Sequence, residues 1–149
     1  MRISKRCQYA LKAVFELARR NSGQPVKIHD IADTQNIPPR FLEVILNQLR
    51  HGGFVDSRRG NEGGYMLART AEELTVGQII RCVQGSISVT DGNSEKPNKT
   101  ESFFGDCAFD QLWQRIDNAV SQICDGTSFA ELVEYEMAEK TVRVPNYVI

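Results

Sequence analysis

Apolar residues in the opening stretch return every three or four positions. Cys7, Ala10, Leu11, Val14, Leu17 and Ala18 share one stripe of a helix that Ser4 is placed to cap and that runs to about Arg20. "NSGQP" at 21–25 interrupts it. A short helix follows in "VKIHDIADTQNI", with Ile28, Ile31 and Ala32 inward, and Pro38-Pro39 opens the next. Phe41, Leu42, Ile45, Leu46 and Leu49 form the expected buried stripe of that third helix, which "HGG" at 51–53 stops. Phe54-Val55 and Tyr65-Met66-Leu67 then flank a polar, glycine-bearing tip, the pattern of a two-stranded hairpin. Thr75 caps and Gly85 ends a helix in "TVGQIIRCVQG". Residues 90–102 are polar and contain Gly and Pro, the composition of a loop. Beyond it Phe109, Leu112, Trp113, Ile116, Val120 and Ile123 mark a long amphipathic helix, and "SFAELVEYEMAEK" at 128–140 marks a last one behind Thr127 or Ser128.

This order predicts a mainly α fold with a small β wing. Two helices joined by a tight turn around Asn36-Ile37, followed by a hairpin, make a winged helix-turn-helix head over 1–69. A connecting helix occupies 70–89, a loop 90–105, dimerisation and C-terminal helices 106–140, and a tail 141–149. The long helix has too much apolar surface for a head of this size to cover. A second copy would cover it and give a two-fold homodimer, which suits a palindromic DNA site.

Charge sharpens the functional reading. Residues 1–69 carry about 12 Lys and Arg against about 6 Asp and Glu, and the remainder about 6 against about 13. A basic head and an acidic remainder suit an anionic partner that meets only the head. Arg40, Glu43, Asn47 and Arg50 fall along the outward face of the third helix, and a helix fits the major groove of B-form DNA. Glu43 is the informative member, because a carboxylate is repelled by phosphate yet accepts from a cytosine amino group. Arg58 and Arg59 sit at the wing tip, where arginine suits the minor groove. Gly60, Gly63 and Gly64 are expected to let the tip turn and approach another molecule, beside Tyr65. Arg2, Ser4 and Lys5 at the start of the first helix complete the expected DNA surface.

Other chemistry is sparse. His29 and His51, the only two histidines, lie in no nucleophile or metal motif, so an enzyme is not expected. The glycine-rich tip lacks G-K-[ST] and G-x-G-x-x-G, which removes the nucleotide-loop reading. No apolar run is long enough to span a membrane, and the N-terminal stretch does not read as a signal peptide, so a cytoplasmic protein is expected. Cys7, Cys82, Cys107 and Cys124 form no C-x-x-C pair. Cys7, Cys82 and Cys124 read as core filler, with Cys7 close to the DNA surface.

"MRIS" with "YAL" at 9–11, "FLEVILNQLR" at 41–50, "RGNEGGYMLAR" at 59–69, "LTVGQIIRCVQG" at 74–85 and "CAFDQLW" at 107–113 resemble the Rrf-two type of bacterial transcription regulators. The resemblance spans nearly the whole chain. It implies a homodimer with a winged-helix head and a long dimerisation helix that binds palindromic promoter DNA. It also implies that Glu43 discriminates between classes of site and that Arg59 is the wing arginine. Pro38 departs from the pattern, since many relatives carry a capping serine there. The iron–sulfur branch of the family has three cysteines spaced C-x5-C-x5-C and a nearby histidine. Here Cys107 alone remains, with Glu95 and Glu101 at the earlier positions and Asp110 at the histidine's. Carboxylates are hard ligands that match such a cluster poorly. No cofactor is therefore expected, and the alternative is a cluster held by Cys107, Asp110 and the other chain. The cysteine-metabolism repressor branch lacks a cluster. Its resemblance implies a second partner, cysteine synthase, which captures tails ending in isoleucine, as Tyr147-Val148-Ile149 does. The expected function is thus a dimeric repressor of sulfur and cysteine genes. The alternatives are an iron–sulfur-sensing regulator and a non-DNA-binding adaptor that regulates an enzyme through its tail.

Overall fold

The computed structural model describes residues 2–90 and 103–143. In order these form α1 (Lys5–Arg20), α2 (Ile28–Gln35), α3 (Pro39–His51), β1 (Val55–Arg58), β2 (Gly64–Leu67), α4 (Val76–Gln84), α5 (Asp106–Gly126) and α6 (Phe129–Arg143). The strands form an antiparallel pair in register Val55 with Leu67 and Arg58 with Gly64.

Local chemistry explains where these elements begin and end. The Ser4 hydroxyl accepts the Cys7 amide at 3.1 Å and starts α1. α2 ends at Asn36, whose φ of 51° places it in the left-handed region that asparagine tolerates. Its neighbour Ile37 turns into the core, and the Ile37 amide donates to the Ala32 carbonyl at 2.9 Å. This is the tight turn of the helix-turn-helix. α3 begins behind Pro38 with no side-chain cap, in agreement with the loss of a capping residue there. α4 has a full capping box, in which Thr75 and Gln78 satisfy each other's amides.

The core joins α1, α2, α3 and α4 with the start of α6. Val14, Ile31, Leu42, Leu46, Leu49, Leu74 and Ile79 are fully buried in it. Phe129 is the largest of the buried side chains. The Phe129 amide donates to the Leu74 carbonyl at 2.9 Å, and the Val76 amide to the Thr127 carbonyl at 3.0 Å, so the start of α6 is stitched to the entry of α4.

Among the described residues one charged side chain sits inside. Glu16 is fully buried and accepts bonds from Arg19 (2.6 and 3.0 Å), Arg20 (2.6 Å) and Gln35 (3.0 Å). Burial alone would raise its pKa, but these donors outweigh burial and bring the carboxyl down to about 2. The pair of arginines belongs to α1 and Gln35 to α2, so the carboxylate ties the two helices together.

The structure departs from the sequence expectation at Phe41 and at the end of α6. Phe41 is not part of the buried stripe of α3: it is 61% exposed and meets the half-buried Tyr9 ring at 6.4 Å between centroids. The stripe facing the core is Leu42, Ile45, Leu46 and Leu49, and Phe41 lies a full residue's rotation off it. Cys7 is wholly buried, with burial pushing its thiol up to about 11, as expected of core filler. α6 also runs to Arg143, slightly beyond the expected end.

α5 differs from every other helix in having no buried residue. Its C-terminal half touches the body through Val120 and Cys124, which pack against Cys7, Ile80 and Ile87. Arg81 of α4 grips Asp125 through two bonds of 2.5 and 2.9 Å, which lowers the Asp125 pKa. Gly77 makes this approach feasible, because a Cβ there would collide with the Asp125 carboxylate. Among the described residues no helix is long and apolar enough to cross a membrane.

Candidate nucleic-acid interface

α3 presents Arg40, Glu43, Asn47 and Arg50 to solvent, since its opposite face is held in the core by Leu42, Ile45, Leu46 and Leu49. The row is partly preorganised. Arg50 donates to the Asn47 side-chain oxygen at 2.9 Å and reaches Ser57 of β1 at 3.4 Å, linking helix to wing. His51 bonds back to the Asn47 carbonyl at 2.7 Å.

The wing is fixed to the body near its tip, one rung from the Arg58–Gly64 pair that closes the ladder. Val26, just before α2, pairs with Tyr65 of β2 through two bonds of 2.8 Å. This third strand-like contact sits one rung from Arg58, and both Arg58 and Arg59 are exposed. Gly60 takes a φ of 107°, open to glycine and strained for other residues, and reverses the chain there. Gly63 and Gly64 serve a purpose the sequence reading did not assign. A Cβ on Gly63 would strike the Arg58 carbonyl, and one on Gly64 the Val26 carbonyl. They make room for the protein's own backbone at this turn.

Between α2, the end of α3 and the wing lies a concave cleft bordered by Lys27, His29, Arg50, Arg58, Arg59 and Tyr65. Lys27 and His29 were not among the expected residues. They come into this cleft through the Val26–Tyr65 pairing, a long-range contact with no local signal.

The N-terminal arm is held by a second set of bonds that the sequence reading missed. Gln84, at the end of α4, accepts the Ser4 amide at 3.1 Å and donates to the Arg2 carbonyl at 3.4 Å. Arg6 donates to Gln48 at 2.6 Å, and Gln48 donates to the Cys82 carbonyl at 3.0 Å. The last turn of α4 therefore braces both the arm bearing Arg2, Ser4 and Lys5 and the recognition helix. Lys5 lies over the Tyr9 ring, 6.0 Å from its centroid.

The long-helix residues are placed as expected for a face awaiting a cover. Phe109, Leu112, Trp113 and Ile123 are exposed, and Ile116 and Val120 half-buried. Phe109 and Trp113 stack at 6.4 Å. Glu95, Glu101, Tyr147, Val148 and Ile149 lie outside the described residues.

The model of the Rrf2 family, described as iron-dependent transcriptional regulators, matches residues 3–135. That covers the head, the brace and the long helix alike. The chain belongs to the Rrf2 family of transcriptional regulators. Its relatives include the regulator CymR of Bacillus subtilis, 35% identical over 94% of this chain and 95% of that protein. The regulator IscR of Serratia proteamaculans is 33% identical over 89% of this chain and 79% of that one. In three dimensions this Rrf2-family chain is similar to CymR, titled the global cysteine regulator of B. subtilis, with a TM-score of 0.78 and 33% identity over 91% of this chain and 98% of that one. It is also similar to IscR of T. potens, with a TM-score of 0.76 and 26% identity over 99% of this chain and 95% of that one. The fold is thus the winged helix-turn-helix of these regulators, and the protein is a regulator and not an enzyme.

Iron has a poor set of donors here. No three His, Cys, Asp or Glu side chains come together among the described residues. Cys107 is exposed on the first turn of α5, with the carboxylates of Asp110 and Asp117 following it along the same groove. Cys82 and Cys124 lie on α4 and at the far end of α5, and burial raises both thiols, which opposes the thiolate that iron requires. One thiol among hard oxygens does not fit an iron–sulfur group within the described chain.

Proposed function

We propose that this Rrf2-family regulator is a homodimeric repressor of sulfur and cysteine genes that reads palindromic promoter DNA. α3 would enter the major groove with Arg40, Glu43, Asn47 and Arg50. Arg58 and Arg59 would reach the adjacent minor groove, and Arg2, Ser4 and Lys5 the flanking backbone. The observation that carries this reading is the wing: two exposed arginines on a hairpin tied to the body by the Val26–Tyr65 pairing and to the recognition helix by the Arg50–Ser57 bond. The similarity to a cysteine regulator supports the choice of regulon, and the donor set at Cys107 speaks against the iron–sulfur alternative. The exposed basic surface speaks against an adaptor that has lost DNA.

Arg59→Ala is expected to weaken promoter binding by about 1–3 kcal/mol. Titration against labelled duplex at fixed salt measures this, and unchanged affinity would remove Arg59 from the interface. Glu43→Ala is expected to broaden the set of bound sequences more than it changes affinity, because the carboxylate is repelled by every phosphate and rewarded only at a matching base. Sequencing of the duplexes retained by each protein compares the two, and identical preferences would deny Glu43 a reading role.

Dimerisation would run through α5, with Phe109, Leu112, Trp113, Ile116, Val120 and Ile123 packed against the same residues of a second copy. Control would come from cysteine synthase, recognising the segment Tyr147, Val148 and Ile149. Calorimetry of that enzyme with this chain and with a version lacking Ile149 is expected to show about a hundredfold loss of affinity or more, a few kcal/mol. Equal binding by both versions would exclude the tail as the contact.

A further inference from the structure

α3 carries two large apolar side chains that its core does not use. Leu42, Ile45, Leu46 and Leu49 are at most 1% exposed, while Val44 is 56% and Phe41 61% exposed. Val44 shares a helix face with Arg40, one turn before it, and Asn47, one turn after it. When those two side chains face a groove, Val44 faces it with them. Phe41 lies a turn before Val44 and continues the patch toward Tyr9 of α1. The rim is cationic, formed by Lys5 and Arg6. Arg6 is held in place by Gln48, and Lys5 lies against Tyr9. The result is an apolar shoulder beside the polar row of the recognition helix, bordered by positive charge.

The charge at the rim favours a polyanion over an apolar protein partner. Within a DNA major groove the one apolar group on a base edge is the thymine C5 methyl. We infer that Val44 and Phe41 read thymine methyl groups and so act as specificity-determining residues alongside Glu43. The inference rests on the DNA-binding reading above. It adds a kind of recognition that the charged row cannot supply, since the methyl offers neither donor nor acceptor. Glu43 then selects by hydrogen bonding and Val44 by burial, at neighbouring base pairs.

The test removes the methyl and leaves every hydrogen-bonding group intact. A randomised duplex pool is enriched on the full-length protein. The enriched duplex is then remade with each thymine in turn replaced by deoxyuridine. Wild type is expected to lose about fourfold in affinity for each contacted methyl, the scale of one buried carbon. Val44→Ser or Phe41→Ser should bind the thymine duplex more weakly and lose that sensitivity at the same position. Both side chains are exposed, and circular dichroism checks that the variants fold. Equal binding of wild type to thymine and deoxyuridine duplexes overturns the inference while leaving DNA binding intact. Undiminished sensitivity in both variants overturns it too, and assigns the shoulder to a protein partner instead. Failure to enrich any duplex defeats the DNA reading itself.

Discussion

Ile116→Asp is expected to split the proposed homodimer, weakening association by about a thousandfold or more, near 4 kcal/mol. The magnitude follows from the geometry of α5. Phe109 and Ile123 lie about two turns to either side of Ile116, so an antiparallel pair crossing at Ile116 sets each aromatic end against the other chain's Ile123. Under two-fold symmetry the substitution acts twice. The two carboxylates would face each other across the crossing. A single chain leaves Ile116 half-exposed, so the fold of the monomer should survive. Sedimentation or light scattering across a dilution series reads the effect. A variant that remains fully dimeric would move the interface away from α5.

The second large effect is on stability. Glu16→Ala is expected to cost about 3 kcal/mol, the low end for removing one member of a buried ion pair. The low end applies because Arg19 and Arg20 keep 37% and 31% of their side-chain surface in water and can rehydrate. Glu16→Gln should lose less, since it keeps the shape and part of the bonding. The pH dependence has a definite sign. The folded carboxyl sits at about 2, below its ordinary 4.5, so its contribution is fully present above 4.5 and is lost as the pH falls toward 2. Denaturant unfolding at a series of pH values should therefore show wild type and Glu16→Ala converging over that window. A gap that stays constant would mean that Glu16 stabilises by packing rather than by charge.

Much of the architecture was legible because its causes are local. The caps at Ser4 and Thr75, the stop at Gly85 and the spacing of apolar residues in α1 and α4 are short-range signals, and each element formed where they indicated. The outward row on α3 followed from helix geometry alone. The departures come from tertiary contacts. Phe41 and Leu42 are both apolar, and sequence spacing does not distinguish the one facing the core from the one facing solvent. The burial of Glu16 depends on Arg19, Arg20 and Gln35, and the last of these comes from a different helix. The reason for Gly64 lies in Val26, far away in sequence. Likewise, the brace from Gln84 to Arg2 and Ser4 joins the connecting helix to the start of the head, and no local pattern encodes it.

The central claim is that two copies of this head present α3 and its wing to the two halves of one DNA site. Enrichment of a randomised duplex pool on the purified protein, followed by sequencing, tests it most directly. The account predicts an inverted repeat whose half-sites are related by two-fold symmetry, bound by wild type and more weakly by Arg59→Ala under the same conditions. A pool that emerges without enrichment, or with a single unrepeated element bound by one chain, would contradict it.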